Sequence, residues 1–213
     1  MGDQKIDGVK FEIIVINDGS SDNSLSLLQE NKHLYTRLVN LPNNLGKGGA
    51  VIEGLKIAEG DYILFQDADL EYDPQDYHLI LKPVTLLDAE IVFGSRNLAP
   101  QITRVHYYWN KLGNRFITFI FNILNNTTFT DIYSCYFLFK RTLVDPSELK
   151  ENGWAQQAEI LGLAIKRSTS FYEVPISYFG RTHAEGKKIR AYHTFNVIFV
   201  IIKKAFFGKK FSS

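Results

Sequence analysis

The N-terminal part of the chain alternates between short apolar runs and helical patterns. The runs are rich in isoleucine, valine and leucine, which predicts strands, and the continuous run at 11–16 predicts a strand buried on both faces. The runs cover residues 11–16, 38–41, 62–66 and 90–93. Strands that alternate with helices favour right-handed crossovers and a mostly parallel sheet flanked by helices. The pattern therefore predicts an α/β domain.

Each of the first three strands leads into a predicted helix. Ser21 or Asp22 can cap the first helix, whose apolar face carries leucines at positions 25, 27 and 28. The second helix begins in "LGKGGAVIEGLKIAEG" and stops at Gly60, because glycine is common at helix ends. The third covers residues 74–81 and has Pro74 in its first turn.

The pattern changes after Arg96. The second half predicts a long aromatic-rich helix or helix pair at 105–124, a strand at 136–139, a helix at 154–166 and an interrupted strand at 170–178. It contains no repeat, low-complexity segment or linker. We therefore expect a single domain over residues 1–190, followed by an amphipathic C-terminal segment at 191–213.

Composition narrows the class of protein. The 213 residues are 45% hydrophobic and 22% charged, with a net charge of +1, which is typical of a globular domain and gives no support to a nucleic-acid partner. A single cysteine excludes an internal disulfide and favours a reducing compartment. No signal peptide and no run of about 18 apolar residues is visible, which predicts a cytoplasmic protein or one on the cytoplasmic face of a membrane.

Four carboxylates follow the third strand in "ILFQDADLEYDP". Asp67, Asp69, Glu71 and Asp73 occupy alternate positions. Ligands of open α/β sheets bind beyond the carboxyl ends of the strands, and alternate residues of an extended segment share a side, so Asp67 and Asp69 can converge. Their hard oxygen atoms suit Mg²⁺ or Mn²⁺, which would share its other positions with substrate phosphates. A solvated acidic turn is the alternative interpretation.

Two glycine-containing turns precede predicted helices. "VINDGSSDNS" places Asp18 after a buried strand, where its carboxylate could accept hydrogen bonds from a base or ribose; an ordinary strand–turn–helix junction is the alternative. "NNLGKGGAV" surrounds Lys47 with glycines before a helix, where phosphate can bind. Its spacing is neither that of the dinucleotide fingerprint nor that of the P-loop, and the geometry of a helix start explains it equally well.

Together these segments resemble glycosyltransferase family 2, the nucleotide-sugar enzymes of GT-A (Rossmann-like) fold. "VINDGSSDNS", "NLGKGGAV", "GDYILFQDADLEYDP" and "IVFGSR" follow the order and approximate spacing of that family. "LGNRFITFIFNILNNTTFTDIYSCYFLFKR", "GWAQQAEIL" and "YEVPISYFGRTHAEGKKI" are similar to the branch of dolichyl-phosphate mannose synthases and bacterial polyprenyl-phosphate glycosyltransferases. The resemblance covers residues 11–205.

The resemblance implies a donor site. In it, Asp18 would contact the base or ribose. Lys47, in its glycine-rich turn, is a further candidate for substrate binding. Asp67 and Asp69 would hold the divalent cation and the sugar diphosphate, with Glu71 near the same cation. Asp69 would thereby take part in catalysis.

The resemblance also implies an acceptor side. Arg96 would face the acceptor phosphate and take part in catalysis, while Asp131 and Glu159 would line the sugar side. A mobile loop would close on phosphate through Arg181, Lys187 and Lys188. For Asp131 a turn cap remains an alternative, and for the two lysines a solvated charge run does.

The implied reaction moves a hexose from a nucleotide-diphosphate sugar to a polyprenyl (dolichyl or undecaprenyl) phosphate. A lipid phosphate is largely anionic at neutral pH, because the second pKa of a phosphomonoester is about 6, so it needs positioning more than a general base. A glycan hydroxyl would instead need a carboxylate base, for which Asp131 is the first candidate. A degenerate, non-catalytic binding protein is the third alternative.

The C-terminal segment "AYHTFNVIFVIIKKAFFGKKFSS" predicts a contact with the membrane surface. Its apolar residues are interrupted by lysines at 203, 204, 209 and 210, which suits an interfacial helix with basic anchors. A terminal helix packed on the domain is the alternative. The stretch "FITFIFNIL" fits either the core or a face toward the membrane.

The beginning of the chain departs from the resemblance. The family opens with a further strand and a "P-x-Y-N-E"-type turn, whereas ten residues precede Phe11 here. That strand would be central in the sheet and would form one wall of the nucleotide pocket. Three interpretations follow: a truncated chain, a strand supplied by a second copy or another chain, or a repacked protein with weak or no activity. Asn17 also stands where the family often has aspartate.

Overall fold

The computed structural model describes residues 6, 8–98, 108–180 and 193–207. Within them the strands are β1 (Ile14–Asn17), β2 (Arg37–Asn40), β3 (Tyr62–Leu64), β4 (Ile91–Ser95), β5 (Phe137–Lys140) and β6 (Phe171–Pro175). The helices are α1 (Ser24–Glu30), α2 (Gly46–Ile57), α3 (Tyr77–Leu87), α4 (Tyr108–Asn125), α5 (Gln156–Ala164) and α6 (His193–Phe207). Short 3-10 turns lie at Lys32–Leu34, Pro74–Asp76, Arg141–Leu143 and Pro146–Glu148.

The described strands form two sheets. β1 and β2 pair in parallel, and the other four strands follow the order β3-β5-β4-β6. β5 runs antiparallel to β3 and β4, while β4 and β6 are parallel, so β3, β4 and β6 share one direction. The predicted α/β class and the mostly parallel strand directions are confirmed.

The division into two sheets departs from the single sheet that the sequence pattern predicts. In the described part of the chain, no strand joins β1 to β3. Ile14–Ile16 and all of β3 are only half-buried, whereas every residue of β4 is buried. A strand edge without a partner leaves its backbone groups to water. The gap is where the resemblance puts an additional central strand.

The residues before β1 pack against the domain without forming a strand. The predicted strand over 11–16 begins only at Ile14. The ring of Phe11 lies 6.0 Å from that of Tyr77. The carboxylate of Glu12 accepts hydrogen bonds from the backbone N–H groups of Glu59 (2.8 Å) and Gly60 (3.1 Å), which ties this segment to the turn before β3.

The larger cluster of the core lies between the four-stranded sheet and the helices α4, α5 and α6, and a second cluster packs α3 against the sheet. The rings of Phe93 on β4 and Phe137 on β5 stack at 4.4 Å. Val197, Val200 and Ile201 of α6 are buried in this cluster. The C-terminal helix is therefore packed on the domain, while Phe195, Phe199, Ile202 and Phe206 face outward. Across the described residues, no helix is both long and apolar enough to cross a bilayer.

Candidate active site

The loop after β3 presents two aspartates on one side. Asp67 and Asp69 are half-buried, whereas Leu70 between Asp69 and Glu71 is 94% exposed. The backbone N–H of Asp67 donates to Sγ of Cys135 at 3.1 Å, and Oδ1 of Asp69 accepts from the backbone N–H of Glu71 at 3.1 Å. These contacts hold the loop in place at the carboxyl end of β3.

Lys47 lies against this pair of aspartates. Its Nζ is 2.6 Å from Oδ1 of Asp67 and 6.0 Å from the ring centre of Trp154. Burial by itself lowers the pKa of Lys47, but nearby negative charge, first that of Asp67 and also that of Asp69, raises it overall. The side chain is therefore an ammonium. Asp67 contacts this ammonium directly, and the charge of Asp69 on the same loop also favours it.

The glycines around Lys47 allow close packing against another loop. Gly46 has a φ of 81°, and a Cβ on Gly48 would lie 2.1 Å from the backbone oxygen of Glu151. The N–H groups of Gly48 and Gly49 donate to the backbone oxygen of Asn152 at 2.8 and 3.4 Å. These amides are thus engaged with the protein. Of the two interpretations of this turn, the geometry of the helix start is the one that the contacts support.

Asp18 joins the end of β1 to the loop before α2. Its Oδ1 accepts from the backbone N–H of Leu45 at 2.7 Å. Gly19 has a φ of 63°, and a Cβ there would lie 2.6 Å from the backbone of Asn43 and Asn44. The tight turn expected from the sequence is confirmed. The contact of Asp18 with a base or ribose stays a prediction.

The carboxylates of Asp67 and Asp69 could bind a divalent cation whose other ligands come from a diphosphate. Among the described residues, no three His, Cys, Asp or Glu side chains come together as a metal site. Glu71, predicted as the third ligand, accepts instead from the hydroxyl of Tyr178 at 3.1 Å. Asp67 and Asp69 remain as hard oxygen donors beside Lys47. They fit Mg²⁺ or Mn²⁺, which commonly binds one or two carboxylates and takes its other ligands from phosphate and water.

Arg96 and Asp131 form a buried bidentate pair. The Nε and Nη2 atoms of Arg96 donate to the two carboxylate oxygens of Asp131 at 2.6 and 2.9 Å, and Asp131 is 1% exposed. Burial lowers the pKa of Arg96, but the charge of Asp131 raises it well above its ordinary value. The backbone N–H groups of Tyr133 (3.1 Å) and Arg96 (3.3 Å) also donate to Asp131. In this arrangement Asp131 is a counterion that orients Arg96, and the predicted role as a general base is not supported.

Two residues to which the sequence pattern assigns no role complete this region. Glu173 of β6 accepts from the backbone N–H groups of Thr130 (2.8 Å) and Asp131 (3.1 Å), and burial raises its pKa. The ring of Tyr178 lies 5.0 Å from the guanidinium carbon of Arg96, and burial raises the pKa of Tyr178 to about 12. Tyr178 also bonds Glu71, so it connects the Arg96 pair to the aspartate loop. The charged residue at position 173, inside a predicted strand, is the signal that could have identified Glu173 as part of this region.

Glu159, which the resemblance places along the sugar side, is engaged by protein groups, and its contact with a sugar stays a prediction. Its carboxylate is buried and accepts from the backbone N–H groups of Lys150 and Glu151, both at 2.9 Å. Its other oxygen lies 2.8 Å from Nζ of Lys204. Because these protein groups engage it, Glu159 organises the neighbouring loop. The predicted phosphate-binding residues Arg181, Lys187 and Lys188 lie outside the described residues.

The fold and the paired aspartates at the end of β3 define a domain of the GT-A class. A crystal structure of glucosyl-3-phosphoglycerate synthase from Mycobacterium tuberculosis, in complex with Mn²⁺, uridine-diphosphate and phosphoglyceric acid, superposes with a TM-score of 0.68 at 17% identity. The similarity covers 96% of this chain and 71% of that one. The chain belongs to glycosyl transferase family 2, whose sequence pattern matches residues 3–146.

Several curated relatives are more similar to the chain in sequence than that crystal structure is. A dolichyl-phosphate beta-glucosyltransferase of Saccharomyces cerevisiae is 29% identical over 194 residues, which are 80% of this chain and 58% of that protein. A protein of the same name from Trichomonas vaginalis is 27% identical over 192 residues, 84% of this chain and 57% of that protein. An uncharacterized protein of Methanocaldococcus jannaschii is 25% identical over 208 residues. The chain thus spans little more than half the length of the first two.

Proposed function

We propose that this protein transfers a hexose from a nucleoside-diphosphate sugar to a polyprenyl phosphate at a membrane surface, with Mg²⁺ or Mn²⁺. The observation that carries the proposal is the meeting of Asp67, Asp69 and Lys47 at the end of β3. Family membership and the names of the two glucosyltransferase relatives support the reaction and make glucose the first hexose to test. The Mn²⁺ and UDP of the neighbouring structure support the cation and the donor class.

The donor side follows from charge. Asp67 and Asp69 would hold the cation, which when bound stabilises the negative charge on the departing diphosphate. Lys47, an ammonium 2.6 Å from Asp67, would add a second positive group beside the same phosphates. Trp154 packs near Lys47 and limits where its long side chain can go.

The acceptor side favours a phosphate over a sugar hydroxyl. A hydroxyl acceptor needs a base to take its proton, and both oxygens of Asp131 are engaged with Arg96. A phosphate acceptor needs a fixed positive charge, and Asp131 holds Arg96 in one orientation. The aromatic face of Tyr178 supports the guanidinium from another side.

The membrane surface is supported by an apolar face on two adjacent helices. α4 and α6 pack side by side. The exposed side chains of this face are Tyr108, Trp109, Leu112, Phe116, Phe119 and Ile123 on α4, with Phe195, Phe199, Ile202 and Phe206 on α6. Aromatic and aliphatic residues at helical spacing suit burial in the headgroup region of a bilayer. We propose a peripheral protein on the cytoplasmic face.

A transfer assay tests the proposed reaction. The protein is incubated with UDP-glucose or GDP-mannose and a polyprenyl phosphate in detergent, with Mn²⁺ or with EDTA. We expect a glycosylated lipid phosphate with one of the donors only when the cation is present. Calorimetry with UDP and GDP, with and without Mn²⁺, measures donor binding separately. Binding of neither nucleotide under any condition would favour a degenerate, non-catalytic protein.

Charged substitutions on the apolar face should release the protein from vesicles. Phe116→Glu together with Phe199→Glu is expected to weaken sedimentation with anionic vesicles at least about tenfold, because each buried phenylalanine contributes about 1.5–3 kcal/mol. Leu86→Glu together with Leu87→Glu is the matched control, since both leucines are exposed on α3, outside the α4 and α6 face, and the charge change is the same. Equal sedimentation of the double variant and the wild type in low salt would contradict the proposed face.

A further inference from the structure

Lys204 points into the domain, although its position in a basic cluster favours an anchor at the membrane surface. Its Nζ lies 2.8 Å from Oε1 of Glu159, and the two side chains are 15% and 2% exposed. A Cβ on Gly162 of α5 would lie 3.0 Å from the Cβ of Lys204, so the glycine lets α6 approach closely. Nζ of Lys166 donates to the backbone oxygens of Lys204 and Ala205. The end of α6 is thus fixed to α5 and the residues just after it.

The same carboxylate holds a loop on its other side. Oε2 of Glu159 accepts from the backbone N–H groups of Lys150 and Glu151, each at 2.9 Å. We call residues 150–152 the bridging loop. A charged acceptor makes these two hydrogen bonds stronger than neutral ones. Glu159 therefore determines the position of the bridging loop relative to α5 and α6.

The bridging loop in turn fixes the turn that carries Lys47. The backbone oxygen of Asn152 accepts from the N–H groups of Gly48 and Gly49. The approach is so close that a side chain at position 48 would overlap the loop. Lys47 directly precedes Gly48 and reaches Asp67. A shift of the bridging loop would displace the start of α2 and with it Lys47.

We infer that Glu159 and Lys204 are positioning residues of the donor site. Their buried ion pair joins α6 to the bridging loop, and the bridging loop sets the position of Lys47 against Asp67. This inference rests on the proposed function, which assigns Lys47 and Asp67 to the donor. Because α6 also carries Phe199 and Phe206 of the apolar face, docking of that face on a bilayer would stabilise the donor site through the same pair. Such coupling is reciprocal, so donor binding would in turn strengthen docking.

Hydrogen exchange measures the coupling without any ligand. Lys204→Met keeps the stem of the side chain and removes the charge. We expect the amides of Gly48, Gly49, Lys150 and Glu151 to exchange about tenfold faster, because Glu159 without its ion pair holds the bridging loop less firmly and local opening becomes more frequent. Lys203→Met is the control, because the neighbouring side chain is exposed and undergoes the same charge change. Glu159→Gln should give the same faster exchange as Lys204→Met.

Two further measurements separate this inference from the proposed function. Calorimetry with UDP and Mn²⁺ should show several-fold weaker binding for Lys204→Met than for Lys203→Met. Anionic vesicles should slow exchange at Gly48 in the wild type but not in Lys204→Met. Unchanged exchange in a Lys204→Met protein with a cooperative thermal transition would overturn the inference. Faster exchange together with absent nucleotide binding in the wild type would support the coupling and contradict the donor function.

Discussion

Asp69→Asn is expected to lower sugar transfer by about 10²–10³-fold, the usual loss when one electrostatic group that stabilises a transition state is removed. The asparagine oxygen can still accept from the backbone N–H of Glu71, so the loop keeps its hydrogen bond. What is lost is one of two negative charges available to the cation. We therefore expect Mn²⁺-dependent binding of UDP to disappear in calorimetry, together with the transfer activity. Removal of the cation by EDTA should reduce the wild type to a similar rate.

Asp73→Asn is the control for Asp69→Asn. Asp73 lies on the same loop, and its carboxylate accepts from the backbone N–H of Gln75 at 2.9 Å, a bond that asparagine can also make. The net charge changes equally in the two variants, so only the position of the lost charge differs. Asp73→Asn should retain cation-dependent binding and activity. A similar loss in both variants would mean that general charge, and not a site at Asp69, governs donor binding.

Local patterns were sufficient to predict the α/β class and the place of the aspartate loop. The spacing of apolar residues along a strand or helix reflects which of its neighbouring residues are buried, so it can be read locally. The structure confirms strands and helices in the predicted order. Boundaries moved by a few residues, as at β1, because the residues before Ile14 pack against Tyr77 without pairing with another strand. The division into two sheets falls where the resemblance puts an additional central strand.

Pairing between distant charges could not be predicted from spacing. Arg96 and Asp131, and likewise Glu159 and Lys204, are brought together by packing of elements far apart in the chain. The resemblance identified Arg96, Asp131 and Glu159 as functional residues, but it assigned each of them a contact with substrate. The structure gives Asp131 and Glu159 protein partners, because a buried carboxylate requires hydrogen-bond donors and a counterion. Lys204 was expected at the membrane surface, because the sequence does not show that it pairs with Glu159. That pairing is what turns its side chain into the domain.

The Arg96–Asp131 pair should carry the second large effect, on both stability and transfer. Asp131→Asn leaves a buried guanidinium without its counterion, which we expect to lower the free energy of unfolding by about 3–5 kcal/mol. For a chain of this length that corresponds to a fall in Tm of roughly 10 °C. Glu148→Gln is the control: Arg167 also makes two contacts to that carboxylate, but the side chain of Glu148 is 38% exposed, so a loss of about 1 kcal/mol or less is expected.

Kinetics of single and double variants distinguish the two classes of acceptor. If Asp131 acts only by orienting Arg96 toward a phosphate, then Asp131→Asn, Arg96→Met and the double variant should lose a similar factor in kcat/KM, about 10²-fold, for polyprenyl phosphate. The losses are not additive, because each substitution removes the same oriented positive charge. Arg96→Met in the Asp131→Asn background should also recover part of the lost stability, since it removes the unpaired buried charge. A base that activates a hydroxyl would behave differently: Asp131→Asn would remove the acidic limb of the pH–rate profile while Arg96→Met retained it. That second outcome would replace the lipid phosphate with a glycan hydroxyl as the acceptor.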